Sequence, residues 1–329
     1  MEQYLFASGR IRALENGLVG QEKLERLLNA EDLSRAIGLL DDFGIVPVKD
    51  ESGRLLREET LLGRLSAAYG EVEDITEGAI FPKVLRYPYD CNNIKAVIKC
   101  AKRGVSPDGM LFDFGTVPLD TVRMAQQTYS YDRLPQPFAD AAKDAQEAFS
   151  AGGNPQAVDL ILDRACFAAM RQAAEKTGND FVRNYVAQKI DYTNLLICIR
   201  LLRMRSGEPG KMMLATALLE GGTLALPQLT EWYEKGEAHL WERLTFTAYE
   251  KFAAEAGGEV GLTIVERAAD NALMEYVRTA KMIPYGIEPI FGYLVAVEYE
   301  VRNLRIVLSG IEAGLDRTLI RERIRRNYV

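Results

Sequence analysis

The sequence predicts an all-α protein made of three degenerate helical repeats. The first observation is that residues 156–208, 228–283 and 290–329 contain no proline, and long tracts without proline permit long helices. The second is that apolar residues recur at helical spacing, whereas stretches with the alternating pattern of a strand are scarce. The third is a short motif that recurs about every hundred residues, as in a tandem repeat.

Apolar spacing predicts helices near both ends of the chain. Two apolar patches with helical spacing lie near the start of the chain, one formed by Leu24, Leu27 and Leu28 and the other by Leu33, Ala36, Ile37 and Leu40. Within residues 265–280 the apolar positions follow i, i+3, i+4 and i+7, and within 294–311 they step by three and four. Segments rich in glycine and proline, at 104–118 and 206–211, predict breaks between helical blocks. The predicted domains are therefore residues 1–112, 113–212 and 213–329.

Each predicted block contains one copy of the pattern acid-x-x-Asn-aliphatic, then any two residues, then two apolar residues and, further on, a closing glycine. We call the copies the first, second and third asparagine motifs. Their acid, asparagine and glycine are Asp90, Asn93 and Gly104, then Asp191, Asn194 and Gly207, then Glu300, Asn303 and Gly314. A second similarity lies upstream of two copies, where residues 161–165 read ILDRA and residues 264–268 read IVERA.

The asparagines are predicted to lie on buried helix faces, because the residues four positions before and after each are apolar or small. A buried amide needs hydrogen-bond partners. We expect these side chains to fix how the helices meet, and a ligand-binding amide is the alternative.

Basic residues concentrate toward the ends of the first two predicted motif helices. They are Lys95, Lys99, Lys102 and Arg103 in the first, and Arg200, Arg203 and Arg205 in the second. Cations there complement the negative end of the helix dipole and face water. The alternative is a common basic surface that meets an acidic partner or lipid headgroups.

The composition offers little for catalysis or cofactor binding. His239 is the one histidine among 329 residues, and the four cysteines have no zinc-site spacing, which favours a reducing compartment. The net charge of −7 argues against a protein whose whole surface binds nucleic acid, and it leaves room for a local basic patch. The pair Asp41 and Asp42 lacks the further carboxylate of a magnesium cluster, and no phosphate-binding loop is present. We predict no catalytic residue, cofactor or metal. The longest apolar run, 289–297, is far short of the roughly 18 residues that span a membrane.

The motif residues lead to a resemblance. Arg302-Asn303-Leu304-Arg305, preceded by Glu288-Pro289-Ile290-Phe291-Gly292-Tyr293, resembles the C-terminal signature of the C subunit of the prokaryotic V/A-type ATPases, the counterpart of the eukaryotic d subunit. Residues 10–15, RIRALE, resemble the first helix of that family, and the first two asparagine motifs match its internal repeats.

The resemblance implies three similar helical domains around a pseudo-threefold axis, which form a funnel. It implies a non-catalytic central-stalk subunit that joins the shaft subunits to the membrane proteolipid ring. Such a protein transmits torque for ATP-coupled proton or sodium transport, as one copy within a complex at the cytoplasmic face of the membrane. Two alternatives stay open: a helical-repeat scaffold of another soluble assembly, and a helical enzyme of the isoprenoid type.

Overall fold

The structure, a computed structural model, describes residues 4–204 and 207–329. Over these residues it contains sixteen α-helices, with short 3-10 turns between some of them. The extended structure found there is an isolated antiparallel bridge between Lys49 and Leu55. The predicted all-α class is confirmed.

Contacts between helices divide the chain into two compact units. Unit 1 comprises Met1–Ala79 and Trp232–Val329, and unit 2 comprises Ile80–Glu231. The division into three blocks at residues 112 and 212 rests on the sequence repeat and stays a prediction.

Unit 1 is built around one long, buried helix. Its helices are α1 (Leu5–Glu15), α2 (Gln21–Leu28), α3 (Leu33–Asp42), α4 (Arg57–Thr76), α12 (Glu237–Leu244), α13 (Glu250–Ala256), α14 (Leu262–Arg278), α15 (Ile287–Glu312) and α16 (Arg317–Arg321). Helix α15 packs against α1 to α4, α14 and α16. Most of its 26 residues are buried, because apolar side chains occupy nearly every face of the helix.

The helices predicted from apolar spacing in unit 1 are present. Leu24, Leu27 and Leu28 are the buried face of α2, and Ala36 and Leu40 lie buried on α3. The 265–280 pattern gives α14, whose apolar face is buried from Val265 to Val277. Helix α3 begins where the Asp32 side chain accepts a hydrogen bond from the Arg35 amide at 2.8 Å, a typical N-terminal cap.

Unit 2 contains the first two asparagine motifs. Its helices are α5 (Phe81–Arg103), α6 (Leu119–Thr128), α7 (Phe138–Gly152), α8 (Pro155–Lys176), α9 (Asp180–Arg203) and α10 (Gly207–Ala217), and α11 (Leu226–Lys235) runs across its boundary with unit 1. Helix α8 is central and packs against α5, α7 and α9. Both α8 and α9 begin at asparagine caps, Asn154 and Asn179.

The two predicted breaks differ in outcome. Helix α5 ends at Arg103 and α6 begins at Leu119, as the glycine and proline residues of 104–118 predict. The second break is shorter than predicted, because α9 ends at Arg203 and α10 begins at Gly207. Pro209 and Gly210 therefore lie in the first turn of α10, where proline is tolerated because the amide it lacks has no partner within the helix. Ser206 lies outside the described residues.

Across residues 4–204 and 207–329, none of the helices combines the length and the apolar character needed to cross a membrane.

Candidate functional site: the asparagine motifs

The three asparagines make the same contact. Each side chain pairs with both backbone groups of a single residue further along the chain, donating to its carbonyl through Nδ2 and accepting from its amide through Oδ1. The pairs are Asn93 with Phe112 (2.8 and 2.9 Å), Asn194 with Leu219 (2.9 and 2.8 Å) and Asn303 with Arg325 (2.9 and 2.8 Å).

These contacts hold an irregular segment against a helix. The asparagines are at most 1% exposed, so water cannot replace the partners of the amide. Each asparagine lies within a long helix, α5, α9 or α15. The residue whose backbone it pairs with lies outside that helix. The amide therefore serves as a bidentate anchor between a helix and the chain that follows it.

The acids of the first two motifs anchor a second point of the same segment. Asp90 accepts from the Thr116 amide and hydroxyl at 3.0 and 2.7 Å, and from the Val117 amide at 3.0 Å. Asp191 repeats this set with the Thr223 amide and hydroxyl at 2.7 and 2.6 Å, and with the Leu224 amide at 3.0 Å.

Both carboxylates are buried at 0% exposure. Burial raises the pKa of Asp90 above its usual range, although the hydrogen bonds from Thr116 and Val117 favour the charged form.

A glycine precedes the threonine in both segments, and the packing explains why. A β-carbon added at Gly115 would lie 2.0 Å from Asp90 Oδ1, and one added at Gly222 would lie 2.1 Å from Asp191 Oδ1. The carboxylate occupies the space of the missing side chain. The segments Gly115-Thr116-Val117 and Gly222-Thr223-Leu224 are thus matched partners of the first two motifs, and the sequence analysis missed them.

The third motif uses different partners for its acid. Glu300 accepts from the Val19 amide at 2.7 Å and from Arg64 Nε at 2.6 Å. The longer side chain, 4% exposed, reaches the segment after α1 and the helix α4. Asn303 also donates to Asn327 Oδ1 at 2.8 Å. This copy therefore ties residues from both ends of the described chain to α15.

The arginines of the two similar sequences upstream of the second and third motifs make equivalent contacts. Arg164, in ILDRA, donates to the Thr216 carbonyl at 2.6 Å, and Arg267, in IVERA, donates to the Glu322 carbonyl at 2.6 Å. Both carbonyls lie three residues before the residue gripped by the asparagine. The second and third copies thus repeat in geometry as well as in sequence.

Two of the three closing glycines end their helices in the same way. Gly104 and Gly314 have φ values of 65° and 64°, a left-handed conformation that favours glycine. The following amides, of Val105 and Leu315, donate back to Cys100 and Gly310, as in a Schellman motif. Gly207 occupies a different place, as the first residue of α10.

An ion-pair cluster adjoins the third motif. Asp270 of α14 binds Arg302 at 2.7 Å and Arg325 at 3.0 Å. Burial alone would raise the pKa of Asp270, but the two guanidinium groups lower it below its usual value. Asn303 also pairs with the backbone of Arg325. The segment at Arg325 is therefore held at two points, by its backbone and by its side chain. Arg302 belongs to the sequence signature, whereas Asp270 was not singled out.

The basic residues of the predicted interface lie in different environments. Lys95 binds Asp163 at 2.6 Å, and Lys99 binds Asp159 at 2.5 Å, so both pair with α8 inside unit 2. Lys102, Arg103 and Arg200 are exposed and Arg203 is half-buried, whereas Arg205 lies outside the described residues.

The other candidates of the sequence analysis are not brought together. His239 is half-buried on α12, with its Nδ1 3.7 Å from Glu242. Asp41 and Asp42 end α3. No group of three or more histidine, cysteine or acidic side chains that could hold a metal occurs in the described part of the chain.

Fold and motifs define a helical-repeat protein whose buried polar side chains brace its own helices. Comparison with known families identifies the family within this class. Residues 7–323 match the model of the ATP synthase (C/AC39) subunit family, and the chain belongs to this family.

Curated relatives agree over nearly the full chain. The C subunit of the A-type ATP synthase of Methanosarcina acetivorans is 27% identical, covering 98% of this chain and 92% of its own length. The corresponding protein of Methanocaldococcus jannaschii is 26% identical, covering 93% and 82%. The C subunit of the V-type sodium ATPase of Enterococcus hirae is 22% identical, covering 97% of each chain.

The family is a structural component of the ATP synthase and is not itself catalytic. The predicted family and the predicted non-enzymatic role are confirmed, and the chain is part of a membrane-associated ATPase complex. The family assignment replaces both alternatives, the isoprenoid-type enzyme and the helical-repeat scaffold of another soluble assembly.

Proposed function

We propose that this chain is the central-stalk socket of a rotary V/A-type ATPase. In this role it joins the shaft subunits to the membrane proteolipid ring on the cytoplasmic side. It transmits torque, so that ATP turnover is coupled to proton or sodium movement. One copy acts in each complex.

The observation that carries the proposal is the family match over residues 7–323, combined with the recurrence of one bracing contact on three long helices. A part that transmits torque must resist deformation. Buried bidentate amides tie α5, α9 and α15 to the segments that follow them, and breaking such a tie leaves buried polar groups without partners. The same recurrence supports three domains, 1–112, 113–212 and 213–329, and the pseudo-threefold funnel belongs to the same proposal.

The coupling of ATP hydrolysis to ion movement is the property that tests this proposal. In membrane vesicles from a host that lacks this chain, we expect ATP hydrolysis by the catalytic head without a proton or sodium gradient. Added purified chain restores the gradient. A full ATP-driven gradient in vesicles without the chain, in membranes that contain the rest of the complex, would contradict the proposal.

The basic end of α5 is a proposed contact with an acidic partner surface in the complex. Lys102 and Arg103 are exposed there and stand at the negative end of the helix dipole, where cations are favoured. The double variant Lys102→Glu and Arg103→Glu should weaken recovery of the chain with the complex. The matched control, Lys143→Glu and Lys176→Glu, changes the same charge at exposed positions of the same unit. Equal recovery of the two double variants would rule out this contact.

A further inference from the structure

A cavity opens beside the second asparagine motif, inside unit 2. It has a volume of about 380 Å³ and lies between α8, α9 and α10. Apolar side chains form most of its wall, with Leu160 and Phe167 from α8, Ile197 and Leu201 from α9, and Met213 from α10. A cavity of this size, with an apolar wall and a few polar groups, is typical of a binding site.

Two carboxylates of α8 also line the cavity, those of Asp159 and Asp163. Lys95 of α5 donates to Oδ1 of Asp163 at 2.6 Å. Lys99 of the same helix donates to Oδ1 of Asp159 at 2.5 Å. In the part of the chain that the structure describes, the Oδ2 atoms of these two aspartates accept no hydrogen bond from another residue. Both side chains are half-buried, so each carboxylate has an oxygen left for a donor that enters the cavity.

The third asparagine motif shows what the same position of the repeat can hold. ILDRA aligns with IVERA, the asparagines align, and so do the residues whose backbones the asparagines hold. In this alignment, three residues of the third copy that form ion pairs have uncharged counterparts in the second copy: Asp270, Arg302 and Arg325 correspond to Phe167, Thr193 and Leu219. All three counterparts line the cavity, so the third copy fills with its own arginines a place that the second copy leaves open.

The helix that follows the motif packs differently in the two copies. In the third copy, a β-carbon added at Gly310 would lie 2.6 Å from Ile320 Cδ1, so α16 reaches α15 through the space of a missing side chain. The second copy has Leu201 at the position of Gly310. With this leucine in place, α10 cannot approach α9 in the same way, and the leucine side chain lines the cavity instead.

From these observations we propose that the cavity of the second copy binds an arginine side chain presented by a protein partner. The guanidinium donates to the Oδ2 atoms of Asp159 and Asp163, and its planar group stacks on Phe167. The aliphatic stem packs against Leu160 and Ile197. The chain is part of an ATPase complex, so it has protein partners that can present such a side chain. The site goes beyond the proposed transmission of torque and does not depend on it.

A single carboxylate can hold two cations, as the third copy shows. Asp270 binds Arg302 through Oδ1 and Arg325 through Oδ2. Asp163 already has a lysine on Oδ1, and an arginine in the cavity supplies the second cation. Arginine suits this place better than lysine, because its five donors in a fixed plane can reach both carboxylates at once. Arg200 also lines the cavity, but it has interactions of its own.

The test adds two small probes to the full chain with isotope-labelled methyl groups and follows the methyl signals by NMR. N-acetyl-arginine amide mimics an arginine within a protein, and N-acetyl-citrulline amide has nearly the same shape without the charge. We expect the arginine probe to shift the signals of Ile197 and Met213 in a saturable way. The signal of Ile306, the counterpart of Ile197 in the third copy, should stay unchanged. The citrulline probe should bind about tenfold more weakly, because hydrogen bonds between charged groups are stronger.

Two variants separate binding from folding. Asp163→Asn should weaken binding of the arginine probe about tenfold, but it also changes the partner of Lys95. Thr193→Arg leaves both aspartates in place and puts an arginine at the position of Arg302. This second variant should fill the cavity from within and abolish binding, and its methyl signals outside the cavity report whether the fold is intact.

Three results would overturn the proposal. One is equal affinity for the arginine and citrulline probes. Another is the absence of saturable shifts at Ile197 and Met213, and the third is unchanged binding of the arginine probe to Thr193→Arg. Tighter binding of free L-arginine than of the blocked probe would overturn the assignment to a protein partner and point to a small molecule.

Discussion

Replacing Asn93 by alanine tests the bracing contact in isolation. The change leaves the amide and carbonyl of Phe112 without their side-chain partners, which lie at 2.9 and 2.8 Å. A buried polar group that loses its partner costs about 1–3 kcal/mol, and Phe112 is half-buried, so water recovers part of the loss. We expect the free energy of unfolding of unit 2 to fall by about 2–3 kcal/mol.

The matched control is the neighbouring Asn92→Ala. Asn92 is exposed and makes one hydrogen bond, to the Met110 carbonyl at 3.1 Å, so its loss should cost less than about 1 kcal/mol. Both positions lie inside α5, so the gain in helix propensity from alanine is the same in the two variants. The difference between the variants therefore reports the buried contact.

Amide hydrogen exchange is the sharpest assay, because it reads the Phe112 segment directly and needs no assumption of two-state unfolding. Asn93→Ala should speed exchange of the amides in residues 112–117, whereas Asn92→Ala should leave them close to wild type. Urea titration, followed by circular dichroism, supplies the overall free energy. Equal exchange rates and equal urea midpoints for the two variants would refute the reasoning.

Three further changes test the neighbouring contacts by urea unfolding. Gly115→Ala forces a β-carbon against Asp90 and should cost about 1–3 kcal/mol. Thr223→Val removes the hydroxyl donor to Asp191, and the loss of a hydrogen bond to a charged group costs about 1.5–3 kcal/mol. The pKa of Asp270 is lower in the folded chain than in the unfolded chain, where it is about 3.9. Asp270 therefore stabilises the fold fully at a pH above about 3.9, and this contribution is lost as the pH falls through the pKa of the folded chain. Acidification below about pH 4 should therefore destabilise wild type more than Asp270→Asn.

Controls make each of these results decisive. A β-carbon added at Gly109 meets no heavy atom within 4 Å, so Gly109→Ala should be close to neutral, and an equal loss at Gly115 and Gly109 would count against the steric argument. Thr230→Val removes an exposed hydroxyl, and a loss as large as that of Thr223→Val would show that the carboxylate contact is unimportant. If acidification lowers the stability of wild type and of Asp270→Asn equally, the proposed contribution of the ion pairs is contradicted.

Much of the helical structure is predictable from the sequence, because burial of an apolar stripe leaves a periodic pattern. The pattern in 265–280 marks α14, and the one in 294–311 marks the C-terminal part of α15. The second break was predicted less well. The segment at 206–211 contains proline and glycine, which also suit the first turn of a helix, so composition alone could not separate a loop from a helix start.

The asparagine motifs were visible because the acid and the asparagine of each copy share one short spacing. Their downstream partners were harder to find, since Phe112, Leu219 and Arg325 are gripped through the backbone and have no side chain in common. The two Gly-Thr-aliphatic segments share a short sequence pattern, which could have been found. In the structure their threonine hydroxyls donate to the acids of the first two motifs. Asp270 could not be assigned from sequence, because its partners lie 32 and 55 residues away.

The most direct test of the central claim is recovery of this chain with its complex. The tagged chain is isolated from detergent-solubilised host membranes, and the proteins that accompany it are identified by mass spectrometry. The account predicts the proteolipid and the central-stalk subunits together. Recovery of soluble proteins alone, from membranes that contain an intact rotary ATPase, would contradict it.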